Sequence, residues 1–208
     1  MSDKTEKKGD DSLSDILGAL ENELFKAYSV PKTGSDHHIY LSESIEGSFR
    51  YVDLCHALRT KTAEDVVYIY LSCFGGDMYA GAAIISAIRD SKAQIITVVT
   101  APTFSMGSTI ALAGDNMIMK PNSFLMFHNY TATERGKGQE LVDAVVHGDK
   151  WAKVFVENVA GKFLTKQEHK RIGEDKDVYV HWNDENLIDR YARHWPGIYK
   201  DFAKSLKE

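Results

Sequence analysis

A continuous run of β-branched and aromatic residues, VVYIYL at 66–71, constrains this fold more than any other stretch of the chain. Without polar alternation, such a run reads as a strand buried in a parallel sheet. A glycine turn, SCFGGD at 72–77, follows it. The small-residue segment 78–91, MYAGAAIISAIRDS, then reads as a helix able to pack closely on that sheet. QIITVVT at 94–100 is a second buried run. After the loop APTF, SMGSTIALAG at 105–114 reads as a short apolar helix, and NMIMK at 116–120 and SFLMFH at 123–128 as two short strands. Strand–helix–strand–helix–strand implies an α/β fold with a largely parallel sheet and right-handed crossovers.

The flanks follow by periodicity. Leu13, Ile16, Leu17, Leu20, Leu24 and Phe25 recur at helical spacing, so 13–28 is expected to be an amphipathic helix behind a charged, disordered start. Residues 29–36, with Pro31 and Gly34, read as a loop, and HIYL at 38–41 as a short strand. The segment 47–59 reads as a helix. After the loop TERGKG, 139–164 reads as one long helix with Val142, Val145, Val146, Phe155, Val159 and Phe163 among its apolar positions. Thr165 and Glu168 form a capping-box pattern for a further short helix, and 178–182 (VYVHW) reads as a strand. Tyr191, Trp195, Tyr199 and Phe202 make the tail aromatic.

Composition excludes several classes. The chain has 208 residues, 43% hydrophobic and 26% charged, enough apolar material for a packed core. No apolar run reaches the roughly 18 residues of a membrane span. The polar start MSDKTEKKGDDS does not read as a signal peptide, and none is expected. A net charge of −5 with no dense Lys/Arg run argues against nucleic acid. The cysteines, Cys55 and Cys73, are too few for a disulfide framework, so reduced thiols and a cytoplasmic location are expected. No Cys/His spacing suits zinc, and neither a metal nor a cofactor is expected.

Ligands of parallel sheets bind beyond the carboxyl ends of strands. Two loops leave such ends: 72–77, and 101–104 leading into Ser105. Each runs into a helix N-terminus, whose unpaired N–H groups suit an anion. Ser105 has two readings: a helix N-cap, the commonest use of serine there, or a nucleophile beside an oxyanion site. His128, closing SFLMFH, is the candidate base. The nucleophile elbow of α/β-hydrolases is absent, because Thr103 stands where its first glycine belongs.

From about His38 to Asp189 the chain resembles the proteolytic subunit of the Clp protease, the ClpP family of serine peptidases. The carrying blocks are SCFGGDMYAGAAIISAI for the family's SPGG and following helix, PTFSMG for its AASMG, and PNSFLMFH for its PNSxxMxH. The resemblance implies a crotonase-like spiral of βαβ units and a Ser105–His128–Asp177 triad, with Asp175 the rival acid. It also implies backbone oxyanion donors at Gly75 and Met106. It further implies a handle, 131–172, that joins two rings into a barrel of fourteen subunits, and an ATPase docking pocket near Tyr68 and Tyr70. Residues 1–37 then form an N-terminal extension and 38–208 the peptidase domain. SPGG becomes CFGG and AASMG becomes TFSMG here, which brings the bulky Phe74 and Phe104 near the site, and Asn129-Tyr130 replaces the usual Gln-Pro.

The function implied is serine endopeptidase activity on unfolded or ATPase-delivered proteins, inside a homo-oligomer. The diverged periphery also suits a virus-type capsid-maturation peptidase. Two further readings share the fold: a crotonase-type acyl-CoA enzyme, which needs no Ser-His-Asp set, and a non-catalytic ring protein.

Overall fold

The computed structural model describes residues 26–32 and 34–198 of the chain. Two strands, β1 (Lys26–Lys32) and β2 (Gly34–Leu41), open it as an antiparallel hairpin. Within the expected loop at 29–36, residues 29–32 and 34–36 are therefore strand, and so are Lys26–Tyr28, read from periodicity as the end of a helix. Backbone pairing to the edge of a sheet overrides the local helical pattern there. The rest of that expected helix, with Tyr199 and Phe202, lies outside the described residues.

A turn of 3-10 helix (Ser48–Tyr51) leads into α1 (Val52–Arg59). Then come β3 (Val66–Leu71), α2 (Met78–Asp90) and β4 (Gln94–Val99). A two-residue strand, β5 (Thr103–Phe104), precedes α3 (Met106–Ala111), β6 (Asn116–Met119) and β7 (Phe124–Phe127). The chain continues with α4 (Gly138–Ala160), α5 (Lys166–Gly173), β8 (Val178–His181) and α6 (Leu187–His194).

The main sheet has the order β1-β2-β3-β4-β6, and β2, β3, β4 and β6 run parallel. The α/β reading with a parallel sheet is thus correct. Its strand VVYIYL is not buried on both faces, however. Val67, Ile69 and Leu71 are fully buried in the core, while Val66, Tyr68 and Tyr70 on the other face are only partly covered. The run looks continuous because that outer face is aromatic: His38 stacks on Tyr68 and Tyr70, and Tyr40 on Tyr70.

A second, three-stranded sheet has the order β5-β7-β8, with β7 parallel to β5 and antiparallel to β8. The two short strands at 116–120 and 123–128 therefore belong to different sheets. One face of the small sheet (Thr103, Leu125, Phe127, Val178, Val180) joins the core. Asp77 caps α2 by accepting the Ala80 N–H at 2.7 Å. Thr165 and Glu168 close the expected capping box.

Helix α4 divides in two. Ala152, Val159 and Ala160, with Phe163 just beyond, are buried, and Phe155 packs on the core. Val142, Val145 and Val146 are 55%, 55% and 58% exposed. The expected apolar stripe is thus partly the chain's own packing and partly free surface. No helix among the described residues is long and apolar enough to cross a membrane.

Candidate active site

Three chain segments meet at one edge of the small sheet. β5 ends at Phe104 and hands the chain to Ser105; β7 ends at Phe127, before His128; β8 begins at Val178, after Asp177. The paired rungs are Phe104 with Met126 and Phe127 with Val178. One step beyond those rungs stand Ser105, His128 and Asp177. Strand alternation gives His128 the face of Phe124 and Met126, and Asp177 the face of Tyr179 and His181. Because Phe124 pairs with His181 and Met126 with Tyr179, that is one face of one sheet.

Ser105 has φ 53° and ψ −120°, one of three non-glycine residues with positive φ among the described residues. Such a backbone costs on the order of 1–3 kcal/mol and persists only where its surroundings hold it. Two hydrogen bonds do so: the Ser105 N–H donates to the Met126 carbonyl at 2.7 Å, and the Phe104 N–H to the Cys73 carbonyl at 2.8 Å. Ser105 occupies the N-cap position of α3, yet its hydroxyl makes no capping hydrogen bond. The ordinary use of a serine at this place is therefore not made.

Ser108, fully buried, braces the same turn. Its hydroxyl donates to the Thr103 carbonyl at 2.8 Å and accepts from the Met126 N–H at 3.1 Å. It ties β5 to β7 and so fixes the spacing between Ser105 and the strand carrying His128. Sequence reading missed it; the available signal was the Ser108-Thr109 pair of hydroxyls inside the largely apolar SMGSTIALAG.

The glycine turn approaches from below. Gly75 has φ 87°, and a Cβ there would lie 2.7 Å from the Ser105 Cβ. Gly76, at φ 137°, leaves room for the Ile45 carbonyl, which a side chain would strike. Ile45 pins the turn at both ends: its N–H donates to the Gly75 carbonyl at 2.6 Å, and its carbonyl accepts the Asp77 N–H at 2.8 Å. The Gly75 N–H is turned to the Cys73 sulfur at 3.3 Å. Burial pushes that thiol's pKa up, so it stays protonated.

Ser105 and His128 line one cleft of about 390 Å³, whose other walls include Met78, Met106, Ala152 and Val156. Tyr130, Asp149 and Lys153 form a polar wall of it that sequence reading did not single out. Lys153 bonds the Asp149 carboxylate at 2.7 Å and holds it below the usual carboxylate range. Among the described residues no hydrogen bond joins Ser105 to His128, or His128 to either candidate acid. The Asp177 carboxylate accepts from the Tyr179 hydroxyl at 3.3 Å, and the Asp175 carboxylate from the Asn129 amide at 2.8 Å. The turn, the serine and the histidine thus share a cleft, and neither acid lines it. Among the described residues no cluster of three or more His, Cys, Asp or Glu side chains is disposed to hold a metal ion.

The family model for Clp protease matches residues 26–184. The chain belongs to the Clp protease family. A curated relative, the ATP-dependent Clp protease proteolytic subunit of Deinococcus radiodurans, is 36% identical over 86 residues, which is 40% of this chain and 42% of that protein. The match therefore spans less than half of the relative's length. Both matches agree with the resemblance carried by the glycine-turn, SMG and PNSFLMFH blocks.

Proposed function

We propose that this Clp protease family member is a serine endopeptidase acting through Ser105, His128 and Asp177. The observation that carries the reading is the register of the small sheet: all three residues stand one step past its last rungs. A nucleophile on a strained strand-to-helix turn with an unused hydroxyl adds to it.

The chemistry follows from those positions. His128 takes the Ser105 proton as the hydroxyl oxygen attacks the scissile carbonyl, then returns it to the leaving amine. Asp177 orients the imidazole and stabilises its cation. The N–H groups of Gly75 and Met106 receive the developing oxyanion. Water then repeats the cycle on the acyl-enzyme. For this, His128 and Asp177 must close onto Ser105, and the Gly75 N–H must leave the Cys73 sulfur. Catalytic hydrogen bonds often tighten only with substrate bound.

The substrate class is unfolded protein or peptide segments, with the acyl-side residue seated in the cleft beside Met106. The fold is a crotonase-like spiral with α4 as its handle. The exposed Val142, Val145 and Val146 support association of copies through α4, as a ring or a stacked pair of rings. The partly covered aromatic face around Tyr68 and Tyr70 is the docking region for a Clp-type ATPase. Hydrolysis of unstructured peptides tests the activity. It should be present in the wild type and fall by several orders of magnitude in Ser105→Ala. Wild-type rates in that variant would overturn the assignment.

A further inference from the structure

Phe74 and Phe104 set this site apart. Phe74 immediately precedes Gly75, and Phe104 immediately precedes Ser105. Their rings stack at 5.7 Å between centroids with 17° between planes. The Phe74 ring remains 70% exposed, so the stack is a platform and not part of the core. The row continues away from the turn: Phe104 meets Phe124 edge-on at 5.4 Å, and Phe124 meets Tyr179 at 5.8 Å and His181 at 5.2 Å.

Phe104, Phe124, Tyr179 and His181 occupy the face of the small sheet that alternation also assigns to His128 and Asp177, and Phe74 stacks on Phe104. Neither Phe74 nor Phe104 lines the cleft shared by Ser105 and His128. A peptide whose carbonyl reaches Ser105 has one flank in that cleft. Its other flank must pass residues covalently joined to the nucleophile and to the glycine turn. Exposed aromatic faces there offer offset or edge-on contact to another ring and cover for any large apolar side chain.

We infer that Phe74 and Phe104 form an aromatic subsite that selects substrates with an aromatic or bulky apolar side chain on the flank of the scissile bond outside the cleft. The inference rests on the peptidase reading, so its test must not depend on turnover. Peptides in which one phenylalanine is walked through the positions around the reacting bond, on an alanine frame, are titrated into the full-length Ser105→Ala chain. One position is expected to bind at least about tenfold more tightly as phenylalanine than as alanine, the scale on which a pocket senses apolar volume. Phe74→Ala in the same background should bring that ratio close to one. In the Ser105-containing protein the same position should govern kcat/KM.

Selective binding without cleavage by the Ser105 protein would uphold the subsite and sink the peptidase reading. Cleavage with no position showing a ratio that Phe74→Ala removes would overturn the subsite alone. Loss of the wild-type oligomeric state in Phe74→Ala would assign the platform to a contact between copies and also overturn the proposal.

Discussion

Gly75 and Ser105 are packed so closely that the glycine has no room for a side chain: a Cβ at Gly75 would lie 2.7 Å from the Ser105 Cβ and 2.8 Å from the Phe104 carbonyl oxygen. The φ of 87° at Gly75 adds backbone strain to any substitution. Gly75→Ala should therefore lower the melting temperature and cut peptide hydrolysis at least about 100-fold, the scale for losing an oxyanion donor. Gly148, inside α4 with nothing within 4 Å of its absent Cβ, is the control. Gly148→Ala should stabilise the protein by about 0.5–1 kcal/mol in chemical denaturation. Equal effects at both positions would contradict the close approach.

The register of β7 and β8 supports Asp177 over Asp175 as the proposed acid. His128 and Asp177 follow the Phe127–Val178 rung, whereas Asp175 sits two residues further out, at φ 57°, bonded to Asn129. Asp177→Asn should reduce kcat by up to about 10⁴-fold, because the histidine loses its orienting carboxylate. Asp175→Asn should cost less than about tenfold, since it removes one exposed hydrogen bond. The reverse order in steady-state kinetics would move the assignment two residues.

Acid stability depends on a buried pair behind the site. Arg190 is 4% exposed in its side chain and holds Glu168 through two bonds of 2.6 and 2.9 Å. Burial alone would raise the Glu168 pKa, but Arg190 and the Thr165 cap outweigh it and lower it from 4.5 to about 2. A depressed folded-state pKa stabilises the protein above the unfolded value, and that stability disappears as pH falls through the folded value. Stability should therefore decline between about pH 4.5 and 2, and more steeply in wild type than in Glu168→Gln. Arg190→Met should be worse at neutral pH, costing roughly 1–3 kcal/mol, because the half-buried Glu168 carboxylate keeps only its Thr165 bonds. Denaturation midpoints against pH check both.

Much of this was legible from local pattern. Val66–Leu71 and the Asp77–Asp90 cap and helix are specified by residues adjacent in sequence, and so is the Thr165–Glu168 box. The small sheet was not legible. Its strand β5 is only Thr103–Phe104, and the sheet's other strands, β7 and β8, lie about twenty and seventy-five residues further on, beyond any periodicity argument. The partial exposure of Tyr68 and Tyr70 was hidden for a related reason: an aromatic outer face reads in sequence like a buried one. Ser105 and His128 were visible as types at strand ends, but the unused Ser105 hydroxyl and the Gly75–Cys73 contact needed coordinates.

The proposed assembly through α4 is testable without unfolding the chain. Val142→Glu with Val146→Lys places opposite charges at i and i+4, which supports the helix while making its exposed face polar. The wild type should sediment as an oligomer and the double variant as a folded monomer of 23.3 kDa. Both species sedimenting alike would remove α4 from the interface. Phe155 is unsuitable for this test, because it packs on the core.

The proposed activation of Ser105 by His128 is open to covalent labelling. Intact-mass analysis after treatment with a fluorophosphonate tests it most directly. One adduct per chain, mapped to Ser105 and lost in His128→Ala, is the predicted result. An unlabelled wild type, or labelling of Ser105 that persists unchanged in His128→Ala, would contradict the account.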